Sequence, residues 1–204
     1  IKKQINCLYC DVTDAKNVNE TIKNIEKKSF NNSIDIIVYC AGGSRSRLKT
    51  PIENVSDEDW KVIQKVNVEG CFNLTRAVVP GMKKNKMGRI IVISSRAGIG
   101  VSLTGIQSYG TAKAAQIGFV KQLSAELGQF GITVNSVAPG FMPTSPDYIK
   151  QWKSYGTQRQ EEILNSIAMK RIGTPEEIAY AVLFFASEFS SFVTGQTLAV
   201  TGSP

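Results

Sequence analysis

Histidine is absent from this 204-residue chain, and cysteine occurs only four times. Without histidine the chain cannot form a Ser-His-Asp triad or bind a metal through imidazole. Four cysteines do not make a disulfide framework in a chain of this size. Cys7 and Cys10 have C-x-x-C spacing, but on a strand they would face opposite sides, so we expect no shared metal or redox site. The sequence therefore predicts no metal site.

Long hydrophobic runs and clustered positive charge are also missing. No run of about 18 apolar residues is present, so we expect no transmembrane helix and no membrane partner. No secretory leader is found at the observed start, and we expect a cytoplasmic location. The net charge is +7, but the basic residues are scattered without interleaved aromatics, which argues against a nucleic-acid partner.

Three segments have the composition of buried strands: 34–43, 88–95 and 132–140. Each is almost continuously apolar and ends in small residues, which is typical of a parallel sheet covered on both faces. Helical patterns separate them, and no repeat or linker interrupts the chain. We therefore predict one α/β domain over residues 1–204, with ligands at the carboxyl ends of the strands.

Tyr109 and Lys113 lie four residues apart in Y-G-T-A-K, so a helix would place them on one face. Free tyrosine loses its proton near pH 10, and bringing that pKa to neutrality requires about 4 kcal/mol. A positive charge about 4 Å away supplies roughly that amount at an effective dielectric constant of about 20. The pair is thus a candidate acid/base, although alone it is equally compatible with an exposed helix.

Eight motifs in order make the chain resemble the short-chain dehydrogenase/reductase family. They lie at 10–13, 40–42, Asn67, Ser95, 109–113, 139–140, 173–179 and 193–196. The resemblance implies a Rossmann-like doubly wound parallel sheet with helices on both faces. It also implies NAD or NADP as cofactor and interconversion of a secondary alcohol and a ketone, such as a 3-oxoacyl thioester, sugar or polyol. Assembly as a homodimer or homotetramer is implied as well, with helices 57–83 and 108–129 as candidate contact surfaces.

The resemblance also implies roles for individual residues. Tyr109 would exchange a proton with the substrate oxygen, and Lys113 would lower the pKa of Tyr109 and hold the nicotinamide ribose. Ser95 would polarise the carbonyl, and Asn67 would anchor a water that relays protons through Lys113. Further cofactor contacts would be Asp11 and Val12 at the adenine, Ala41 and Gly42 at the adenosine ribose, and Pro139, Gly140 and Thr144 at the nicotinamide and pyrophosphate.

Several of these residues have a structural alternative. Ser94 could replace Ser95, because the Ser95–Tyr109 separation is one residue longer than the family pattern. Asn67 could only satisfy backbone groups in its own helix, and Asp11 could be a turn residue before a helix capped by Asp14. Pro139-Gly140 would end a strand in many folds.

One unit of the family pattern is missing: no T-G-x-x-x-G-x-G turn is present, and residues 5–10 match the family's third strand. We therefore expect a longer chain, with a further β-α-β unit of about 30 residues. Residues that distinguish NAD from NADP belong to that unit, so both cofactors stay open. The alternative is a non-catalytic binding or scaffold protein that has lost its pyrophosphate-binding turn. Segment 141–171 is expected to form a lid over the substrate.

Overall fold

A parallel sheet forms the centre of the molecule in the computed structural model, which describes residues 5–44, 50–101, 105–142, 144 and 146–204. Its four strands, in spatial order, are β1 (Ile36–Tyr39), β2 (Gly88–Ile93), β3 (Ile132–Pro139) and β4 (Thr197–Val200). Each neighbouring pair is parallel, with Ile36 opposite Arg89, Gly88 opposite Ile132, and Ser136 opposite Thr197. The predicted α/β class with a parallel sheet is confirmed.

Helices connect the strands and cover both faces of the sheet. They are α1 (Ala15–Glu26), α2 (Asp57–Gln64), α3 (Gly70–Asn85), α4 (Arg96–Ile99), α5 (Gln107–Leu127), α6 (Pro146–Ser154), α7 (Gly156–Ser166) and α8 (Pro175–Ala186). A π-helical turn, Lys65–Glu69, joins α2 to α3, and short 3₁₀ turns lie at Ile52–Asn54, Gly128–Phe130 and Glu188–Ser190.

Alternate residues of a strand pack into the hydrophobic cores on opposite faces of the sheet. This explains why the strand sequences are continuously apolar. Ile90 and Val92 pack with residues of α1, α3 and α5 on one face of the sheet. Ile91 packs with Ala181 and Phe185 of α8 on the other face. Because successive strand side chains point to opposite faces, a strand covered twice needs apolar residues at every position.

The predicted strand over residues 5–10 does not form. Within the described part of the chain no strand lies beside this segment, and Ile5 and Tyr9 are 84% and 83% exposed. Strand backbone needs a partner for its N–H and C=O groups, so residues of strand-like composition stay irregular without one. β4, in contrast, was not predicted as a strand: it is short, and Leu198 is exposed.

The helix predicted over 57–83 is divided by the π turn, where the N–H of Gly70 bonds to the carbonyl of Lys65. The helix predicted over 108–129 corresponds closely to α5. Asp14 caps α1, since its side chain accepts from the N–H groups of Lys16 and Asn17. In the described residues no helix is long and apolar enough to cross a membrane, and no group of three or more potential metal-ligating side chains is found.

Candidate active site

A cavity of about 550 Å³ opens at the carboxyl ends of β1, β2 and β3. This is where open parallel sheets bind their ligands. Its wall contains Cys40, Gly42, Gly43, Ile93, Ser94, Ser95, Arg96, Ala97, Val101, Tyr109, Lys113, Pro139, Gly140, Phe141, Met142, Thr144, Tyr148, Pro175 and Ile178. The predicted ligand edge of the sheet therefore coincides with an open cavity.

Asn67 lies in the π turn, fully buried behind the cavity wall. Its side-chain N–H groups donate to the carbonyls of Gly43, at 3.0 Å, and Ile63, at 2.8 Å. Its side-chain oxygen accepts from the N–H of Gly43 at 3.1 Å. Asn67 thus satisfies its own helix, as the structural alternative proposed, and also fixes the loop that follows β1.

Gly42 makes this arrangement possible because no side chain fits at its position. A Cβ atom there would lie 2.4 Å from Oδ1 of Asn67 and 3.7 Å from Nζ of Lys113. Its φ of 141° is also a conformation that other residues rarely adopt. The neighbouring Gly43 has a similar φ of 136°, but a Cβ atom there would have nothing within 4 Å.

The two serines after β2 make different contacts. Ser94 is buried, and its hydroxyl donates to the carbonyl of Lys113 at 2.9 Å, which ties the end of β2 to α5. The hydroxyl oxygen of Ser95 accepts from the N–H of Ala97 at 3.1 Å, and the Ser95 side chain is hydrogen-bonded to Tyr109. Of the two serines, Ser95 is the one whose side chain acts on the pKa of the candidate acid/base.

The expected lowering of the Tyr109 pKa by Lys113 is not what the structure shows. Burial raises the pKa of Tyr109 to about 12, the hydrogen bond to Ser95 opposes this rise, and Tyr148 adds to it. Nζ of Lys113 lies 5.6 Å from the centroid of the Tyr109 ring. A nearby cation favours the phenolate, but the cost of burying a phenolate outweighs that attraction here.

The Lys113 side chain is hydrogen-bonded to two acceptors other than the phenol. Its ammonium donates to the carbonyl of Ile93 at 2.8 Å and to Oε1 of Gln116 at 3.0 Å. Burial lowers the pKa of Lys113 to about 8, while the nearby thiols of Cys71 and Cys40 act in the opposite direction. The Lys113 amine can therefore change its charge close to neutral pH.

The whole chain matches known reductases. Residues 1–202 match the family model described as enoyl-(acyl carrier protein) reductase. The chain is 38% identical over 202 residues to the 3-oxoacyl-[acyl-carrier-protein] reductase FabG of Buchnera aphidicola, covering 99% of this chain and 78% of that protein. This chain belongs to the short-chain dehydrogenase/reductase family. It is accordingly an NAD(P)-dependent oxidoreductase acting on CH–OH or C=O groups, which favours an enzyme over the binding-protein alternative.

Further proteins are similar to this chain in sequence and fold. The short-chain reductase protein NovJ of Streptomyces niveus is 39% identical over 196 residues, covering 95% of this chain and 72% of that protein. A 3-oxoacyl-[acyl-carrier protein] reductase from Brucella melitensis, solved with bound NAD, is 34% identical with a TM-score of 0.80, covering 95% and 69% of the two chains. The structure of ElxO with NADP bound is 31% identical with a TM-score of 0.84, covering 94% and 75%.

Three predicted cofactor contacts of this short-chain dehydrogenase/reductase do not line the cavity. Asp11 accepts from the N–H and hydroxyl of Thr13, bonds that lower its pKa, so it acts locally as the turn residue of the structural alternative. The carbonyl of Val12 accepts from Asn73, and Ala41 packs against the core. The other predicted site residues, apart from the buried Asn67, line the cavity: Gly42, Ser95, Tyr109, Lys113, Pro139, Gly140 and Thr144.

Gln116 is a contact that the sequence reasoning missed. It is buried on α5, one turn beyond Lys113 and on the same helix face. Ala112, Lys113 and Val120 form a buried stripe along α5, and Gln116 lies on it. A polar residue on a buried helix face could have indicated that Gln116 has a polar partner. The π turn at Asn67 was missed as well, since sequence patterns do not distinguish it from ordinary helix.

Proposed function

We propose that this enzyme reduces the ketone of a 3-oxoacyl thioester to the secondary alcohol, or catalyses the reverse oxidation, with Tyr109 as the proton donor or acceptor. The observation that carries the proposal is that the Ser95 and Tyr109 side chains line one cavity at the carboxyl ends of the strands, with Ser95 acting on the pKa of Tyr109. Two hydroxyl groups that line the same cavity could both contact one carbonyl oxygen. A third polar group, the Lys113 ammonium, lines the same cavity.

The cavity wall fits a nicotinamide cofactor. Gly42, Gly43 and Gly140 leave backbone exposed on the rim, and a side chain at Gly42 would fill space next to Lys113. When bound, the cofactor would supply or accept the hydride. Lys113 would hold the ribose hydroxyls, while Pro139, Gly140 and Thr144 would flank the nicotinamide and pyrophosphate. The proposed contacts of Asp11, Val12 and Ala41 with the adenosine have no support from the cavity, because none of the three residues lines it.

In the reduction, the protein would manage the charge that develops on the substrate oxygen. Ser95 would donate a hydrogen bond to that oxygen, and Tyr109 would transfer its phenolic proton to it as the hydride reaches the carbon. The high pKa of Tyr109, about 12, keeps the phenol protonated at neutral pH in the absence of cofactor. Tyr109 therefore carries the proton that the reduction needs, and in the reverse oxidation the same oxygen would take the proton back.

The cavity wall suits an acyl group attached to an anionic carrier. Val101, Phe141, Met142 and Tyr148 supply apolar surface for an acyl chain. Among the wall residues that the structure describes, charged side chains are the cations Arg96 and Lys113, with no carboxylate. We propose that Arg96, which directly follows Ser95, contacts a phosphate of the carrier.

Segment 141–171 is proposed as the substrate lid. Four residues of this segment line the cavity: Phe141, Met142, Thr144 and Tyr148, the last of which belongs to α6. Phe141 and Tyr155 pack against Trp152, with ring centroids 5.6 Å and 6.3 Å from its own. This aromatic cluster would let the segment move as one unit.

Oxidation of NADH and NADPH by the purified enzyme, followed at 340 nm, tests the function. The substrates would be acetoacetyl-CoA, its neutral analogue ethyl acetoacetate, and a panel of ketoses. We expect turnover with acetoacetyl-CoA at a lower Michaelis constant than with the neutral ester. Turnover with ketoses alone would redirect the proposal to a sugar or polyol reductase, and the preferred cofactor would decide between NAD and NADP.

Replacing each serine separately tests which of them contacts the substrate. We expect Ser95→Ala to lower kcat about 100-fold, because one donor to the developing oxyanion is lost. Ser94→Ala should change kcat less than about threefold. Ser94→Ala loses the bond to the carbonyl of Lys113, and Ser95→Ala loses the bond from the N–H of Ala97, each worth about 1 kcal/mol, so unfolding in urea checks that both variants stay folded. If Ser94→Ala gave the larger loss of kcat, the catalytic role would pass to Ser94.

We also propose a cytoplasmic homodimer or homotetramer. An apolar hollow of about 290 Å³ lies between α3 and α5, lined by Val68, Cys71, Phe72 and Phe119 together with Glu69 and Gln116. Leu183, Phe189 and Phe192 form exposed apolar surface at and after α8. A second copy covering such surfaces would remove them from water. Light scattering on the size-exclusion peak should give a mass two or four times that of the chain, and a monomer at micromolar concentration would contradict the assembly.

A further inference from the structure

The side chain of Gln116 joins two groups of the proposed active site. Its Nε2 group donates to the backbone carbonyl of Asn67 at 2.7 Å, and its Oε1 atom accepts from Nζ of Lys113 at 3.0 Å. An ammonium group can only donate and a carbonyl can only accept, so with Lys113 protonated the chemistry fixes which end of the amide faces which group. Gln116 is only 1% exposed, so water competes little for these bonds.

The π turn presents the carbonyl that receives this bond. The carbonyl of Val66 accepts from the hydroxyl of Tyr39, and the carbonyl of Asn67 accepts from Gln116. Both carbonyls belong to the π-helical segment, where local hydrogen bonding departs from the ordinary helix. The buried amide of Gln116 therefore links α5 to the π turn.

Gln116 also separates the Lys113 ammonium from the apolar hollow between α3 and α5. It lines the apolar hollow between α3 and α5, whereas Lys113 lines the substrate cavity. The carboxamide consequently stands between the hollow and the ammonium. A water entering from the hollow would have to displace a side chain that already satisfies both polar groups.

We propose that Gln116 is a positioning residue: its carboxamide takes the place expected for the relay water between Lys113 and Asn67. This inference rests on the proposed function. A water can accept one proton and release another, but an amide would have to pass through an imidic acid to do so. Gln116 therefore fixes the Lys113 ammonium without carrying protons, and protons reach Lys113 only from the cavity.

The other groups that face the ammonium are few. β2 contributes the carbonyl of Ile93, and α5 contributes Tyr109. The thiols of Cys40, after β1, and Cys71, on α3, also act on the charge of Lys113. Among the described residues, Gln116 supplies the only side-chain acceptor that is hydrogen-bonded to the ammonium.

Two variants of Gln116 should change the pKa of Lys113 in different ways. Gln116→Met keeps the length and volume but removes the acceptor, which disfavours the charged amine and should lower the Lys113 pKa by about one unit. Gln116→Glu keeps an oxygen that accepts from Lys113, so it should return the pKa at least to the wild-type value. A residue that only fills space would not distinguish methionine from glutamate in this way.

Competitive labelling with trace acetic anhydride, read by mass spectrometry across pH, measures the Lys113 pKa. Exposed Gln122 on the same helix provides the control Gln122→Met, which should leave the wild-type value of about 8 unchanged. An unchanged pKa in Gln116→Met, or an equal lowering in Gln116→Glu, would overturn the positioning role. If Gln116→Met does not fold, Gln116→Leu replaces it under the same criteria.

The labelling needs neither substrate nor cofactor, so it is independent of the reductase assay. A shifted Lys113 pKa without any ketone reduction would retain the positioning contact and reject the proposed function. In an active enzyme, the rate of hydride transfer in a single turnover should fall linearly with the deuterium fraction of the solvent, because only the Tyr109 proton moves. A curved dependence would show additional protons in motion and overturn the absence of a water relay.

Discussion

Tyr109→Phe should lower kcat by about 1,000-fold while changing the dissociation constant of the cofactor less than about threefold. The variant keeps the ring that packs at the cavity wall and removes only the proton that would be transferred to the substrate oxygen. General acid catalysis contributes about 100-fold to 10,000-fold. Steady-state kinetics with acetoacetyl-CoA and fluorescence titration of NAD(P)H measure the two quantities.

Tyr180→Phe is the matched control, since it removes a phenolic hydroxyl from an exposed position on α8, outside the cavity. It should retain wild-type kcat. Retention of more than a tenth of wild-type kcat by Tyr109→Phe would reject Tyr109 as the acid. Loss of cofactor binding together with turnover would instead mean that the hydroxyl mainly holds the nicotinamide ribose.

The sequence predicted Tyr109 as the candidate acid/base but not its pKa, because the pKa depends on contacts that form only in the folded chain. Four-residue spacing is a backbone property, so the pairing of Tyr109 and Lys113 on α5 followed from the sequence. Whether the ammonium reaches the phenol depends on its competing acceptors. The carbonyl of Ile93 belongs to another element and could not be assigned before the chain was folded, whereas Gln116, three residues after Lys113 on α5, could have been found from its spacing.

In the sheet, too, some strands could be predicted from their own residues, whereas others depend on a partner elsewhere in the chain. β2 and β3 carry enough apolar residues to be recognised alone, and each is buried along most of its length. Residues 5–10 have comparable composition but no neighbouring strand in the described structure, so they remain irregular. Strand formation depends on a partner elsewhere in the chain, which composition does not reveal.

The predicted cofactor contacts divide for a related reason. Pro139 and Gly140 reach the cavity because they end a central strand, β3, and Gly42 reaches it from the loop after β1. Asp11 and Val12 precede α1, and no described strand directs them toward that rim. A motif therefore predicts a site position reliably only where the elements on both sides of it are also formed.

Gly42→Ala should destabilise the protein by about 2 kcal/mol more than Gly43→Ala. Both substitutions place alanine at a positive φ, which costs about 1–3 kcal/mol in either case. Only the Cβ atom at Gly42 would meet Oδ1 of Asn67, at 2.4 Å. Asn67 would then have to move and weaken its buried bonds to Gly43 and Ile63, at about 1 kcal/mol or more each. Urea unfolding of the two variants measures the difference.

A double-mutant cycle with Asn67→Ala isolates the clash from the backbone strain. In the Asn67→Ala background the side chain that blocks a Cβ atom at Gly42 is gone, so Gly42→Ala should cost no more than Gly43→Ala does. Equal costs for Gly42→Ala in both backgrounds would mean that the strain at φ explains the whole effect. A coupling of about 2 kcal/mol would instead show that the missing side chain at Gly42 keeps Asn67 in place and thereby keeps the loop after β1 at the edge of the active site.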